Sequence, residues 1–298
     1  MPRTPMMTMT GQLKKATGLY RRKMRVQYEQ AIVEGPQGVR EALLCHERGI
    51  RDVYVTQEAL ERHPDIDALL RRVDPYTHIL PSELCSSIAP NSQGIFAVIA
   101  IPDEEDIRDI FAHGKLVVCA LESVDPGNVG TIIRCADACG ADAVILGRGS
   151  VEATNPKVMR SSAGSYFHIP ILEDEDVADV VAHAREAGFQ ILIADGRGEY
   201  DLGQLADQAL LESEGAQGGA DAQAGGAESA AEQGNAAIDL RRPTLWLVGN
   251  EAHGFTDEQY GYADGLVRIP MWGASESLNV AMATSICLFS SARAQHRG

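Results

Sequence analysis

The chain predicts an α/β protein in two parts, a small α/β domain followed by a larger one on a mostly parallel sheet. Three observations carry this expectation. Short β-rich runs alternate with helix-periodic segments along the chain. Leu116 to Leu121 is a nearly continuous apolar run, as expected of a parallel strand covered on both faces. Several strands also run straight into Gly-containing turns, the usual position of ligands on open α/β sheets. At 298 residues there is room for two domains of ordinary size, each with its own core. The balance of 45% apolar and 23% charged residues is that of a globular protein. No apolar run approaches the roughly 20 residues needed to cross a bilayer.

In chain order, residues 1–30 read as a basic N-terminal arm. The first turns carry Arg3, Lys14, Lys15, Arg21, Arg22, Lys23 and Arg25 without an acid. If helical, Lys14, Arg21 and Arg25 share one face suited to phosphates; a solvated, frayed terminus is the alternative. Residues 31–101 form the small domain. Ala31-Ile32-Val33 is a strand, and Pro36 to Arg48 a helix opened by Pro, with Val39, Leu43 and Leu44 on one face. Asp52 to Val55, His78 to Leu80 and Ile95 to Ile101 are further strands, with helical turns between them. Residues 102–115 read as a linker, because Pro102-Asp103-Glu104-Glu105-Asp106 is acidic and lacks apolar period.

Residues 116–298 form the larger domain. After the Leu116 strand come helix Val129 to Cys139, strand Ala143 to Leu146, helix Val177 to Ala187 and strand Gln190 to Ala194. Strands Leu245 to Val248 and Gly265 to Ile269 follow, and a last helix runs from Ser277 to about Ala292. Residues 211–240 are expected to be a disordered insertion. From Gly215 to Ala237 the segment is almost wholly Gly, Ala, Gln, Ser and acids, too poor in apolar surface to offset ordering entropy.

The formal charge of −16 argues against nucleic acid until its distribution is considered. From Asp201 to Asp239 every charged residue is an acid, whereas the N-terminus is basic, so net charge describes the folded surface poorly. The cysteines, Cys45, Cys85, Cys119, Cys135, Cys139 and Cys287, form no C-x-x-C pair, and the histidines show no metal-ligand spacing, so no metal site is expected. The N-terminus lacks the apolar core of a secretory signal, which predicts a cytoplasmic protein without membrane attachment.

Three segments carry chemistry. Asp125-Pro126-Gly127-Asn128 to Arg134 follows the first strand of the larger domain, with Asn128 placed to cap the helix from Val129. Arg134, among Ile132, Ile133 and Ala136, calls for a charged partner, either a carboxylate or an RNA phosphate. Leu247-Val248-Gly249-Asn250-Glu251 is again a strand running into a loop with an acid at its tip, and Gly249 permits close approach of a ligand. Ile269-Pro270-Met271 to Ser277-Leu278-Asn279 is a strand end, a polar turn and a helix start, with Ser277 the expected cap. No dinucleotide fingerprint or P-loop lysine motif is present, so neither dinucleotide binding nor NTP hydrolysis is supported.

In this order and spacing the three segments resemble the motifs of the SpoU/TrmH family of ribose 2′-O RNA methyltransferases. The resemblance covers roughly Leu116 to the C-terminus. It implies an α/β trefoil-knot methyltransferase domain, S-adenosyl-L-methionine as cofactor, and a homodimer with active sites at the subunit interface. By position it implies catalytic roles for Asn128, Arg134, Glu251, Ser277 and Asn279, with Arg134 acting on the ribose hydroxyl. The implied cofactor pocket includes Gly249, Ile269, Met271 and Leu278. Glu34-Gly35-Pro36-Gln37-Gly38-Val39-Arg40 resembles the start of the ribosomal-protein-like (L30e-like) RNA-binding domain that precedes the knot in several members. This favours rRNA, most of all 23S rRNA, over tRNA, and no DNA partner. The other readings are a tRNA methyltransferase of the same fold and a catalytically idle RNA-binding or ribosome-assembly protein.

Overall fold

The computed structural model describes residues 4–218, 238–249 and 254–296. The chain forms two compact units. The first comprises Met1–Glu105, Val124–Asp137 and Val151–Glu173; the second comprises Asp106–Ser123, Ala138–Ser150 and Asp174–Gly298.

The chain begins with β1 (Thr4–Pro5), α1 (Gly11–Gly18), α2 (Arg22–Tyr28), β2 (Gln30–Glu34) and α3 (Pro36–Cys45). It continues through β3 (Ile50–Val55), α4 (Gln57–Arg62), α5 (Pro64–Val73), β4 (Thr77–Ile79), α6 (Ser82–Ile88) and β5 (Ile95–Ala100). The strands make one sheet in the order β1-β4-β3-β5-β2. β5 runs antiparallel to both β2 and β3, while β4 is parallel to β3. Local chemistry sets the helix starts. Pro36 and Pro64 open α3 and α5 with φ already helical, and Thr56 caps α4 by accepting from the Ala59 N–H at 3.1 Å.

The expected N-terminal arm is instead part of this unit's core. Leu13, Ala16 and Leu19 pack in one cluster with Ile32, Tyr54, Ile88 and Phe96. The apolar spacing of Leu13, Ala16 and Leu19 lays one helical stripe on the sheet and leaves Lys14, Arg21 and Arg22 in solvent. Arg25 does not join a phosphate-binding face. It is only 2% exposed, donates to the carbonyls of Leu19 and Tyr20 at 2.9 and 3.1 Å, and pairs with Glu152 at 2.6 Å. A buried guanidinium requires this partner, so Arg25 is structural.

The rest of the chain runs α7 (Ile107–His113), β6 (Leu116–Ala120), α8 (Pro126–Ala138), β7 (Ala143–Gly147), α9 (Pro156–Ser161), β8 (Ile171–Glu175) and α10 (Val177–Glu186). It ends with β9 (Gln190–Ala194), β10 (Tyr200–Asp201), α11 (Leu202–Gly218), β11 (Thr244–Val248), α12 (Asp257–Tyr260), β12 (Gly265–Arg268) and α13 (Val280–Gln295). The second sheet has the order β10-β12-β9-β11-β6-β7-β8. The ladders joining β10, β12, β9, β11, β6 and β7 are all parallel. β6, β7 and β11 are buried at every position, as their unbroken apolar runs require. Trp246 on β11 is fully buried, and its indole N–H donates to Ser291 Oγ of α13 at 3.0 Å.

Two expected boundaries change. Within residues 102–115, α7 is a true helix, capped by Asp106 and held by buried Ile110 and Phe111. Phe111 meets Phe189 edge-on at 5.1 Å, an apolar anchor that its acidic flank conceals. Part of the segment 211–240, expected to be disordered, is ordered: α11 continues to Gly218, and Ile238 and Leu240 are buried. Residues 219–237 lie outside the described residues.

Candidate active site

Three strands of the second sheet, β12, β9 and β11, lie side by side and run in the same direction, so their C-terminal ends form one edge. Each end passes into a polar or glycine-containing turn: Asp195-Gly196 after β9, Gly249 after β11, and Ile269 to Met271 after β12. Two adjoining cavities open there. The larger, about 490 Å³, is lined by Val248, Gly249, Phe255, Leu278 and Asn279 among others. The smaller, about 200 Å³, includes Val267, Ile269, Met271 and Glu276. Ala194, Asp195, Gly196, Ser277 and Leu278 line both. Apolar walls with a few convergent polar groups at the ends of parallel strands are the usual make-up of a small-molecule site.

The structure therefore gathers Gly249, Ile269, Met271, Ser277, Leu278 and Asn279 around one pair of cavities. Gly249 has a steric reason to be glycine: a Cβ there would come 2.9 Å from the Phe255 ring, pressing it out of place. Glu251 lies outside the described residues. Asn128 and Arg134 are on α8, in the first unit.

The capping residues differ from those expected. The last helix begins at Val280, and its cap is Asn279, which accepts from the N–H groups of Ala281 and Met282 at 3.0 and 3.4 Å. Ser277 instead lies three residues before the helix and offers its carbonyl to the Ser275 hydroxyl at 2.9 Å. Likewise α8 begins at Pro126, earlier than expected. Asp125 holds its first turn by accepting from Gly127 and Asn128 at 2.7 and 3.0 Å. Those N–H groups, Asn128 first, hold the Asp125 carboxyl below its ordinary pKa. Both errors have one cause: each turn offers two good capping residues, and a shift of two or three positions decides between them. Asn279→Ala is expected to cost about 1 kcal/mol of stability, and Ser277→Ala less than about 0.5 kcal/mol. Urea denaturation of both variants checks this, and equal losses would return the cap to Ser277.

Arg134 is exposed and makes no ion pair among the described residues, so of the two partners its sequence allowed, a carboxylate or an RNA phosphate, the carboxylate is not seen there. Helix α8 carries it on a wet face, opposite the buried stripe Val129, Ile132, Ile133 and Ala136.

Sequence reasoning missed Asp195. Burial opposes its ionisation, but hydrogen bonds from Arg197 and from the Tyr260 hydroxyl hold it at about 2. The cavity thus carries at its edge an ionised carboxylate that is paired with the Arg197 guanidinium. The available signal was an Asp-Gly turn directly after a strand read as parallel.

A family description, SpoU rRNA Methylase, matches residues 115–289. The chain belongs to this family. It is 28% identical over 276 residues to the 23S rRNA (guanosine(2553)-2'-O)-methyltransferase RlmP of Bacillus subtilis (strain 168), covering 91% of this chain and 92% of that one. Over 255 residues it is 29% identical to the 23S rRNA (guanosine-2'-O-)-methyltransferase RlmB of Bordetella pertussis, covering 82% and 89%. Among solved structures, the AdoMet-bound rRNA methyltransferase from Sinorhizobium meliloti superposes with a TM-score of 0.69 at 25% identity, covering 96% of this chain and 97% of that one. SpoU membership brings with it the α/β fold with the mostly parallel sheet found here.

Proposed function

We propose that this SpoU-family chain is an S-adenosylmethionine-dependent methyltransferase that modifies a ribose 2′-hydroxyl of large-subunit ribosomal RNA. The observation that carries this reading is the convergence of Gly249, Ile269, Met271 and Leu278, from separate segments, on one pair of adjoining cavities. These residues fit the cofactor. The larger cavity, about 490 Å³, lies in the ordinary size range for such ligands. Leu278, Ile269 and Phe255 offer apolar walls, and the Asp195 carboxylate adds a hydrogen-bond acceptor at their edge.

S-adenosylmethionine, when bound, supplies a methyl group already activated on its sulfur. What remains for the protein is to hold the ribose oxygen in line and ease loss of its proton. Arg134 is permanently protonated and a poor base. Its exposed guanidinium suits a phosphate beside the target ribose and developing negative charge on the 2′-oxygen, with the phosphate accepting the proton. Asn128, Glu251, Ser277 and Asn279 take supporting roles by their positions in the motifs.

The substrate follows from the relatives, which carry 23S rRNA names, and from the basic surface of Lys14, Arg21 and Arg22. The first unit docks structured RNA by shape and phosphate contact. A cytoplasmic location accords with work on ribosomal RNA, and among the described residues no helix is long and apolar enough to cross a membrane. Mapping 2′-O-methyl groups in a strain lacking the gene is expected to show one 23S site lost. Loss from a tRNA alone would overturn the substrate. Absence of S-adenosylmethionine binding in calorimetry would leave the idle RNA-binding protein as the better reading.

The partner is a second copy of the chain. Helix α13 buries Ala281, Thr284, Leu288 and Ser291 but exposes Met282, Ile286 and Phe289, which is 63% exposed, as a second apolar stripe. Such a stripe on a C-terminal helix supports a self-complementary contact. Phe289→Glu is expected to convert a dimer into monomers in light scattering, and a dimer that survives the change would assign the stripe elsewhere.

A further inference from the structure

Away from these cavities, the first unit brings together three side chains of the three ligand types that hold transition metals. Glu41 and Cys45 lie one turn apart on the same face of α3. His168 follows the 3₁₀ turn Ser165–Phe167. One ligand atom from each lies within 4.8 Å of the other two. His168 Nε2 is 3.1 Å from Glu41 Oε2, while Nδ1 is 2.9 Å from Asp137 Oδ2.

The imidazole is thus oriented from behind. Asp137 accepts from Nδ1, which directs Nε2 at Glu41 and Cys45, the carboxylate–histidine pairing that supports metal-bound histidines. Gly164 has φ +100, and a Cβ on it would come 2.4 Å from Glu41 Cγ, so only glycine lets α3 lie against this turn. A cavity of about 260 Å³ reaches the cluster, with Cys45 and His168 on its wall beside Asp103, Glu104 and Glu105. These acids make the approach favourable for a cation and unfavourable for an anion.

We propose that Glu41, Cys45 and His168 form a binding site for a zinc-type divalent ion, with Asp137 as the carboxylate that orients His168. A thiolate, an imidazole and a carboxylate together favour a borderline ion over magnesium or calcium, which prefer all-oxygen sites. Three protein ligands leave one position of a tetrahedron for water. Binding draws the exposed Cys45 thiol inward with release of its proton and clamps α3 to the turn before His168. The competing account is a salt-bridge network in which a protonated His168 bridges Asp137 and Glu41. That account gives Cys45 no part, so Cys45 separates the two. No linear spacing could have revealed the site, because its ligands come from positions 41, 45 and 168.

The test uses the full chain, stripped with a chelator and titrated with Zn²⁺ against a chromophoric competitor and, separately, with Co²⁺ followed by absorption. One equivalent of Zn²⁺ is expected, with a thiolate-to-cobalt charge-transfer band and tetrahedral visible bands. Cys45→Ser should abolish the thiolate band, and both Cys45→Ser and His168→Gln should weaken Zn²⁺ at least about tenfold. Cys139→Ser should change neither. Methyl transfer is not part of the readout, so the result stands apart from the proposed activity. Binding unchanged in Cys45→Ser, or no thiolate band in the unaltered chain, would overturn the proposal in favour of the salt-bridge network.

Discussion

Arg134→Ala is expected to remove methyl transfer, by on the order of a thousandfold in single turnover, while leaving S-adenosylmethionine affinity within about twofold. The magnitude is that of removing a charge-assisted donor from a developing oxyanion, the role proposed for Arg134. The selectivity follows from the cavity lining, which is drawn from the turns after β9, β11 and β12 and from the start of α13. Stability should be nearly unchanged. Arg134 is solvent-exposed, has no ion pair among the described residues, and alanine suits a helix at least as well. Single-turnover transfer to an rRNA fragment, calorimetry with the cofactor and a thermal melt together check the claim. Retained turnover would remove Arg134 from the chemistry, and lost cofactor binding would make it a pocket residue. Arg134→Lys keeps the charge but loses the planar fork, so partial activity there would indicate that charge matters more than two-point phosphate contact.

How much of this was legible in the sequence depends on the distance over which each feature is encoded. Strands β6, β7, β9 and β11 were legible because parallel strands covered on both faces are written as local apolar runs. The turns holding Gly249 and Leu278 were legible because a strand, a polar turn and a helix follow one another in the chain. Helix α7 was hidden, since its apolar anchor Phe111 finds Phe189 far along the chain while its acidic flank resembles a linker. The N-terminal helices were misread for a similar reason. Arg25 is identical in composition to a phosphate-binding Arg, and its burial and its pairing with Glu152 distinguish it. Asp195 gains its character partly from Tyr260, far along the chain, and the His168 cluster joins His168 to α3; neither contact is written in a local pattern.

Glu173→Gln is expected to stabilise the protein at neutral and alkaline pH and to leave it nearly unchanged in acid. Burial pushes the Glu173 carboxyl up to about 7; the Ala153 N–H opposes this, and the negative fields of Glu104 and Glu152 reinforce it. An acid whose pKa is raised on folding holds its proton longer in the native state than in the unfolded chain. Between the ordinary value of 4.5 and about 7 the native state therefore binds more protons, and stability falls as pH rises through that window. Glutamine keeps the shape and cannot ionise, so the variant should lack this slope. Its advantage should grow from near zero at about pH 4 to at most about 3 kcal/mol above about pH 7. In the native protein Arg22 partly offsets the charge. Urea denaturation of both proteins at about pH 5 and about pH 8 measures the difference directly. A gap that stays constant with pH would show that Glu173 ionises normally and that its surroundings admit water.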